Sequence, residues 1–458
     1  MGMTLVVRNG LLFTMAPHQP DPFVGWMEVG DDGRILAIGA GPYAGDLGGA
    51  AQVIDATGKF IAPGFVSAHS HLHTSGTRGI AVDKSLYEWV AAMTAMTRNA
   101  TAEDFYWFTL HGALDFLNNG ITTAYDFTPR GLDFTAEGPG HAHIGGRLRG
   151  PEYGEGQVRA KVDAGIRFVN SVSLDDTATD DKETLARLDH IVEYTRSLGA
   201  SQFALASAIS GAVQWSPHRS TAEIEVEAME RHGLINQPHL LETPYSIEEQ
   251  RAKLAWYRDA GAFGPKLLFG HFVQATDEQI VEVAEAGCGA VWQPTSNGRL
   301  ASGVADVPRW LELGMRVGVG LDDQACTDVS DPFQNMRIGI YLQRAWRKDP
   351  TAMGPRKMLE LHTRTSAEVL GVADRVGSLE PGKFADFLVV DPADPDTGPV
   401  WDPYGTYVLA CSLRNLKQVW VGGRLVSDEG RIVSHDMRAV SAEVHGRLRS
   451  LTGTTPIC

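Results

Sequence analysis

Cysteine is scarce in this chain. Four residues in 458, Cys288, Cys326, Cys411 and Cys458, are scattered without a C-x-x-C pair. That spacing gives neither a disulfide framework nor a thiolate zinc knuckle, and predicts reduced, structural thiols. Long apolar runs are missing too: none approaches the roughly 20 residues of a membrane span, so no membrane partner is expected. The opening stretch "MGMTLVVRNGLLFTM" has no basic region, signal core or small-residue cleavage site and reads as an alternating strand and a turn. A cytoplasmic location is the expectation. Positive charge is short as well, 40 Lys and Arg against 56 Asp and Glu for a net charge of −16. Nucleic acid and anionic lipid are therefore poor partners, and a small, uncharged substrate is expected. No fixed-period repeat or low-complexity tract appears.

What is present is an ordinary globular balance, 43% hydrophobic and 21% charged, in a chain longer than one small core holds. Between roughly residues 60 and 370, short apolar runs alternate with longer helical patterns, the rhythm of repeated βα units. Eight strand candidates follow in order: "FVSAHSH", "ITTAYDF", "IRFVNSVS", "FALASAIS", "INQPHL", "LLFGHFV", "AVWQPTS" and "RVGVGLDD". Eight is the number a closed (β/α)8 TIM barrel needs. Both chain ends are rich in Val, Gly and Asp with turn signals such as "DDG", "EPGK" and "VGGR". The α/β chain is thus expected to pair residues 1–58 with 375–458 in a small β-sandwich domain around a barrel over 59–374. The Gly- and Pro-rich segment from about 128 to 153 reads as a long loop on the barrel's active face, a candidate lid. His141 and His143 fall in it and are expected to be solvated unless the lid brings one over the substrate.

Within the first strand, "AHSH" puts His69 and His71 two residues apart, so both imidazoles face one point. Zinc favours such nitrogen donors. Paired strand histidines can equally be core residues, but three later strand ends add His239, His271 and Asp322. Sites on this fold draw residues from the carboxyl ends of several strands, so the set points to a metal. His73 continues the alternation and is expected in the substrate wall. Asp323 should point away from the metal, into a solvated turn or a salt bridge. Trp215, after the fourth strand, is a core residue or an aromatic substrate wall.

Together, H-x-H after a strand, the H-x-x-E of "HLLE", a lone strand-end His and a late strand-end Asp resemble the amidohydrolase superfamily, in its adenosine deaminase and atrazine chlorohydrolase-like branch. "IDATGKFIAPGFVSAHSH", "PTSNGRLASG" and "GSLEPGKFADFLVVD" extend the resemblance over nearly the whole chain. The resemblance implies that His69, His71, His239 and Asp322 bind one divalent metal, zinc first, with iron, cobalt and manganese also suited to the donors. It places His271 and Glu242 around the metal and substrate. Two-metal members usually carry a lysine on the fourth strand; "QFALASAIS" has none, so one ion per subunit is expected. His271, assisted by Asp322, is then the general base, and Glu242 delivers a proton to the leaving nitrogen.

Deaminases of this branch commonly read "TDG" at the last strand and often carry a His after the fourth. Here the stretches are "LDDQACTD" and "AISGAVQWSPH". By resemblance the chain is most similar to the phenylurea hydrolases and molinate hydrolase, which implies cleavage of N-aryl-N′,N′-dialkylureas to a substituted aniline. The alternatives are an aminohydrolase or chlorohydrolase of a triazine, purine or pterin, and a non-catalytic binding protein on the same fold. A homo-oligomer is the expected assembly.

Overall fold

The computed structural model describes residues 3–128, 131–136, 142–146, 148–198 and 202–453. It divides into two compact units. The first comprises residues 1–68, 114–123 and 331–437 and holds a nine-stranded sheet assembled from both chain ends. Its path runs Arg431–Ile432, Arg424–Asp428, Leu416–Val421, Phe387–Val390, Phe60–Pro63, Met3–Leu12, Phe23–Gly30 and Ile35–Ala40, with Gln52–Asp55 also on Met3–Leu12. The ends meet where Phe60–Pro63 pairs antiparallel with Phe387–Val390. Alternation along these strands turns Leu5, Val7, Met27, Val29, Phe387 and Trp420 into one core. All nine strands share this one sheet; the second, stacked sheet that a sandwich requires is not among the described strands.

The second unit comprises residues 69–113, 124–330 and 438–458. Apart from residues 65–68 and 121–123, which fall in the first unit, the strand candidates lie in the second and form two sheets of mixed α/β, TIM-barrel-like character. One sheet orders Ile235–Asn236, Ala204–Ser210, Arg167–Ser173, Ile121–Phe127 and Phe65–Ser70; the other orders His239–Leu240, Leu268–His271, Gly289–Trp292 and Arg316–Val319. Two parallel bridges link them, Asn236 to Leu267 and Ser70 to Asp322. The fifth strand is interrupted at Pro238, which has no N–H to give a ladder. Phe65–Ser70 and Ile121–Phe127 are buried along their whole length, polar residues such as His69 and Asp126 included. Helices follow most strands, several opened by capping interactions; Thr276 and Gln279 form a reciprocal box at the start of Asp277–Glu285.

The 128–153 segment departs from the expected loop. Asp133–Ala136 and Ala142–Gly145 pair antiparallel, with Thr135 opposite His143. Glycine richness hid this short hairpin. His141 lies outside the described residues, as does Cys458, while Cys288, Cys326 and Cys411 are buried and free.

Candidate metal centre and active site

Strand ends of the second unit bring His69, His71, His239, Glu242, His271 and Asp322 together. His69 lies inside the first barrel strand, whereas His71 stands just past its end and leads into the 3-10 turn Leu72–Thr77. The strand therefore stops before His73, which reaches the cleft from that turn and not by strand alternation. Asp322 is locked to the same strand by backbone: Asp322 N–H donates to the His69 carbonyl (3.0 Å), and His71 N–H donates to the Asp322 carbonyl (3.2 Å). Gly320 makes this approach feasible, since a Cβ there would sit 2.6 Å from His69 Cβ and 2.7 Å from its carbonyl oxygen. His271 and Asp322 both adopt left-handed backbone (φ 67° and 66°), a conformation uncommon outside glycine and characteristic of strained functional sites.

The donor atoms converge. His71 Nε2 is 3.1 Å from His239 Nε2, and Asp322 Oδ1 is 3.5 Å from both His69 Nε2 and His71 Nε2. Tetrahedral bonds of about 2.05 Å put neighbouring donors about 3.3 Å apart, so the spacing fits one zinc-sized ion. His271 Nε2 lies 3.6 Å from Glu242 Oε1 and 3.9 Å from Asp322 Oδ2. His271 Nε2 and Glu242 Oε2 are buried without a hydrogen-bond partner among the described residues, aimed at the same space. Three overlapping triplets, His69–His239–His271, His69–His71–Asp322 and Glu242–His271–Asp322, each bring ligand atoms within 4.8 Å. The donor set is a His/Asp metal-binding site.

Electrostatics follow from burial. Desolvation, then the His239 charge, holds His71 well below the usual imidazole range; desolvation and His69 do the same to His271. Neutral imidazoles are what a metal requires. Burial would raise Asp322, but its hydrogen bond to His69 and the charges of His69 and His71 hold it low. Glu242 moves the other way: burial, reinforced by Asp322 and Asp323, pushes it well above the carboxylate range.

A supporting set went unread in the sequence. Gln237 Oε1 accepts from His69 Nδ1, which leaves Nε2 as the donor toward the ion. The short helix Pro294–Arg299 supplies two more: Ser296 Oγ donates to Asp322 Oδ2 (2.6 Å), and the Asn297 amide donates to His271 Nδ1 (2.9 Å). The "PTSN" stretch was the available signal. Asp323 corrects the expectation of a solvated turn: it is buried, lines the cleft and caps Gln324–Thr327 by accepting from Cys326 N–H.

The cleft lined by these groups holds about 850 Å³ of non-protein space, part of it open to solvent. One wall is apolar, with Leu86, Trp89, Val90, Met93 and Trp215, while His73 and Arg149 line another part. Trp215 is at once core and wall, meeting Tyr87 edge-on at 5.6 Å. No helix among the described residues is long and apolar enough to cross a membrane.

The amidohydrolase family model matches residues 60–426. A 5-methylthioadenosine/S-adenosylhomocysteine deaminase of Syntrophobacter fumaroxidans is 29% identical over 98% of this chain and 98% of its own length. Among solved structures, an adenosine deaminase from Xanthomonas campestris with bound zinc superimposes with a TM-score of 0.83 at 21% identity, covering 98% of this chain and 99% of that one. Atrazine chlorohydrolase from Arthrobacter aurescens TC1, complexed with zinc, gives 0.78 at 20% identity, covering 97% and 100%.

Proposed function

The chain belongs to the amidohydrolase family, and from that premise we propose that it is a one-metal hydrolase displacing an amine, or a comparable leaving group, from the ring carbon of an uncharged aromatic heterocycle. The observation that carries this reading is the convergence of His71, His239, Glu242, His271 and Asp322 at one end of a cleft with an apolar aromatic wall. The deaminase relative and the adenosine deaminase and atrazine chlorohydrolase neighbours favour a ring substrate over the urea expected from sequence. His69, His71, His239 and Asp322 would hold the ion. Zinc suits them and is present in both neighbours; the fourth strand, Ala204–Ser210, offers no lysine for a second ion.

An ion bound there would acidify water toward neutral pH and polarise the carbon under attack. His271, assisted by Asp322, takes a proton at Nε2. With Asn297 donating to Nδ1, the neutral ring carries its own proton on Nε2; the base role needs the amide turned so that Oδ1 accepts from Nδ1–H. Asn297 Oδ1 has no other hydrogen-bond partner among the described residues to oppose that turn. Glu242, kept protonated by burial and by Asp322 and Asp323, delivers its proton to the departing nitrogen. His73 and Trp215 bound the substrate.

One observation favours a second reading, cleavage of N-aryl-N′,N′-dialkylureas: Trp215 lines the cleft and gives an aryl group an apolar face. The products separate the two. Zinc-loaded protein incubated separately with aminated and chlorinated purines, triazines and pterins, and with dimethyl phenylureas, is expected to release ammonia or chloride from a ring substrate, and to lose this on His69→Ala. Aniline release with every ring substrate untouched would replace the first reading by the second.

A further inference from the structure

Beside the metal centre lies a buried ion pair that the reaction above does not use. Lys161, on the helix Glu152–Ala164, extends Nζ to Asp126 Oδ2 (2.6 Å) and Asn170 Oδ1 (2.7 Å). Neither the Lys161 nor the Asp126 side chain has exposed surface. Taking both charges out of water carries a desolvation cost that their attraction need not recover, so such a pair is weak evidence for stability. Its geometry gives another reason for it. The second Asp126 oxygen, Oδ1, accepts from the N–H of Leu72 (2.9 Å), the peptide immediately after His71. The next residue, Phe127, stacks on the His71 ring (4.6 Å between centroids, 13° between planes) and touches the His69 ring at 4.5 Å and the His239 ring at 4.6 Å. One residue on the second barrel strand, which carries no candidate ligand, thus anchors the chain beyond His71 and sits next to the ring on which three candidate ligands rest.

We infer that Lys161 and Asp126 are positioning residues of the metal centre: Lys161 fixes the Asp126 carboxylate, and Asp126 fixes the strand end that aims His71. This rests on the metal-site reading above. The ion pair matters here for the acceptor it holds in place, so a neutral acceptor of the same shape should serve once the cation is also removed.

That distinction sets the test, made on the purified full chain. Zinc affinity is measured by competition with a chromophoric chelator for the wild type, Lys161→Met, D126N/K161M and D126A/K161M, with melting of the zinc-free proteins recorded alongside. Asn at 126 keeps an oxygen for the Leu72 N–H; Ala does not. Zinc should bind D126A/K161M about 10- to 100-fold more weakly than wild type, the range for loss of a group that orients ligands. D126N/K161M should bind within about threefold of wild type. Equal affinity of the two double variants would overturn the inference, even if both are weakened. If Lys161→Met does not fold because it leaves a buried carboxylate unpaired, the double variants still decide; if D126A/K161M does not fold, D126L/K161M, which fills the space but offers no oxygen to Leu72 N–H, takes its place in the comparison with D126N/K161M. A wild type that binds no zinc would instead sink the metal-site reading itself.

Discussion

Two buried glutamates show how residues of one type are given different work. Glu242 faces the cleft with Oε2 unpartnered among the described residues, and burial with two neighbouring aspartates raises its hold on a proton. Glu242→Gln keeps the size and polarity but cannot deliver a proton; turnover should fall by about 10²- to 10⁴-fold while bound zinc, measured by elemental analysis, is unchanged. Retained turnover would remove Glu242 from the mechanism. Glu225 is instead fully engaged: it accepts from Ala212 N–H, Asn236 Nδ2 and Tyr257 Oη, yet burial raises it from 4.5 to about 7. Between those values the folded chain holds a proton that the unfolded chain has released, so stability falls as pH rises from about 4.5 to 7 and is level above. The full contribution is about 3 kcal/mol. Urea unfolding of zinc-free wild type and Glu225→Gln at pH 5 and pH 8 checks it: the stability of wild type relative to the variant should fall by about 2.5 kcal/mol between the two pH values. Parallel pH profiles would show that Glu225 is ionised throughout. Neither the sequence position nor the spacing of Glu225 hinted at this, because its three donors come from a loop, a strand and a helix distant in the chain.

At the scale of elements, legibility followed the physics of burial. The strands of the TIM-barrel-like sheets could be read because short segments rich in apolar and β-branched residues, as in "ITTAYDF", alternate with longer helical patterns. His69, His71, His239, His271, Asp322 and Glu242 could be read because strand periodicity and strand ends fix where such side chains point. The hairpin at 133–145 could not, since a glycine-rich pair has no apolar face to announce it. Nor could the supporting groups Gln237, Ser296, Asn297, Asp126 and Lys161, whose roles exist only once separate elements meet. The helix Pro294–Arg299 is the sharpest case: six residues that hold Asp322 through Ser296 and His271 through Asn297. Ser296→Ala and Asn297→Ala should therefore separate by function. Removing Ser296 frees a candidate metal ligand and should weaken zinc binding about tenfold or more. Removing Asn297 frees the proposed base and should lower kcat with zinc affinity within about threefold. Titration with a zinc-competing dye and steady-state kinetics on both variants check this, and identical profiles would mean the helix acts only as packing.

For the whole molecule, an ion at this centre would cross-link the chain from residue 69 to residue 322. The candidate ligands come from the first, fifth and eighth barrel strands, segments that an unfolded chain has no means of holding together. Binding to the folded state alone stabilises it by RT ln(1 + [L]/Kd), about 4 kcal/mol when free metal is a thousandfold above Kd. The protein scaffold does not depend on the ion for its connectivity, because Asp322 and the His69–His71 segment are already joined by backbone hydrogen bonds and Gln237 orients His69 from outside the donor set. Chelation should therefore leave far-UV circular dichroism unchanged while the melting temperature drops by several degrees, and added zinc should restore it in a concentration-dependent way. Asp322→Asn should melt at nearly one temperature with or without zinc, since an amide is a much poorer ligand than a carboxylate. Loss of secondary structure on chelation would mean that the ion builds the fold, and an unchanged melting temperature in the wild type would mean that these donors hold no ion tightly enough to matter.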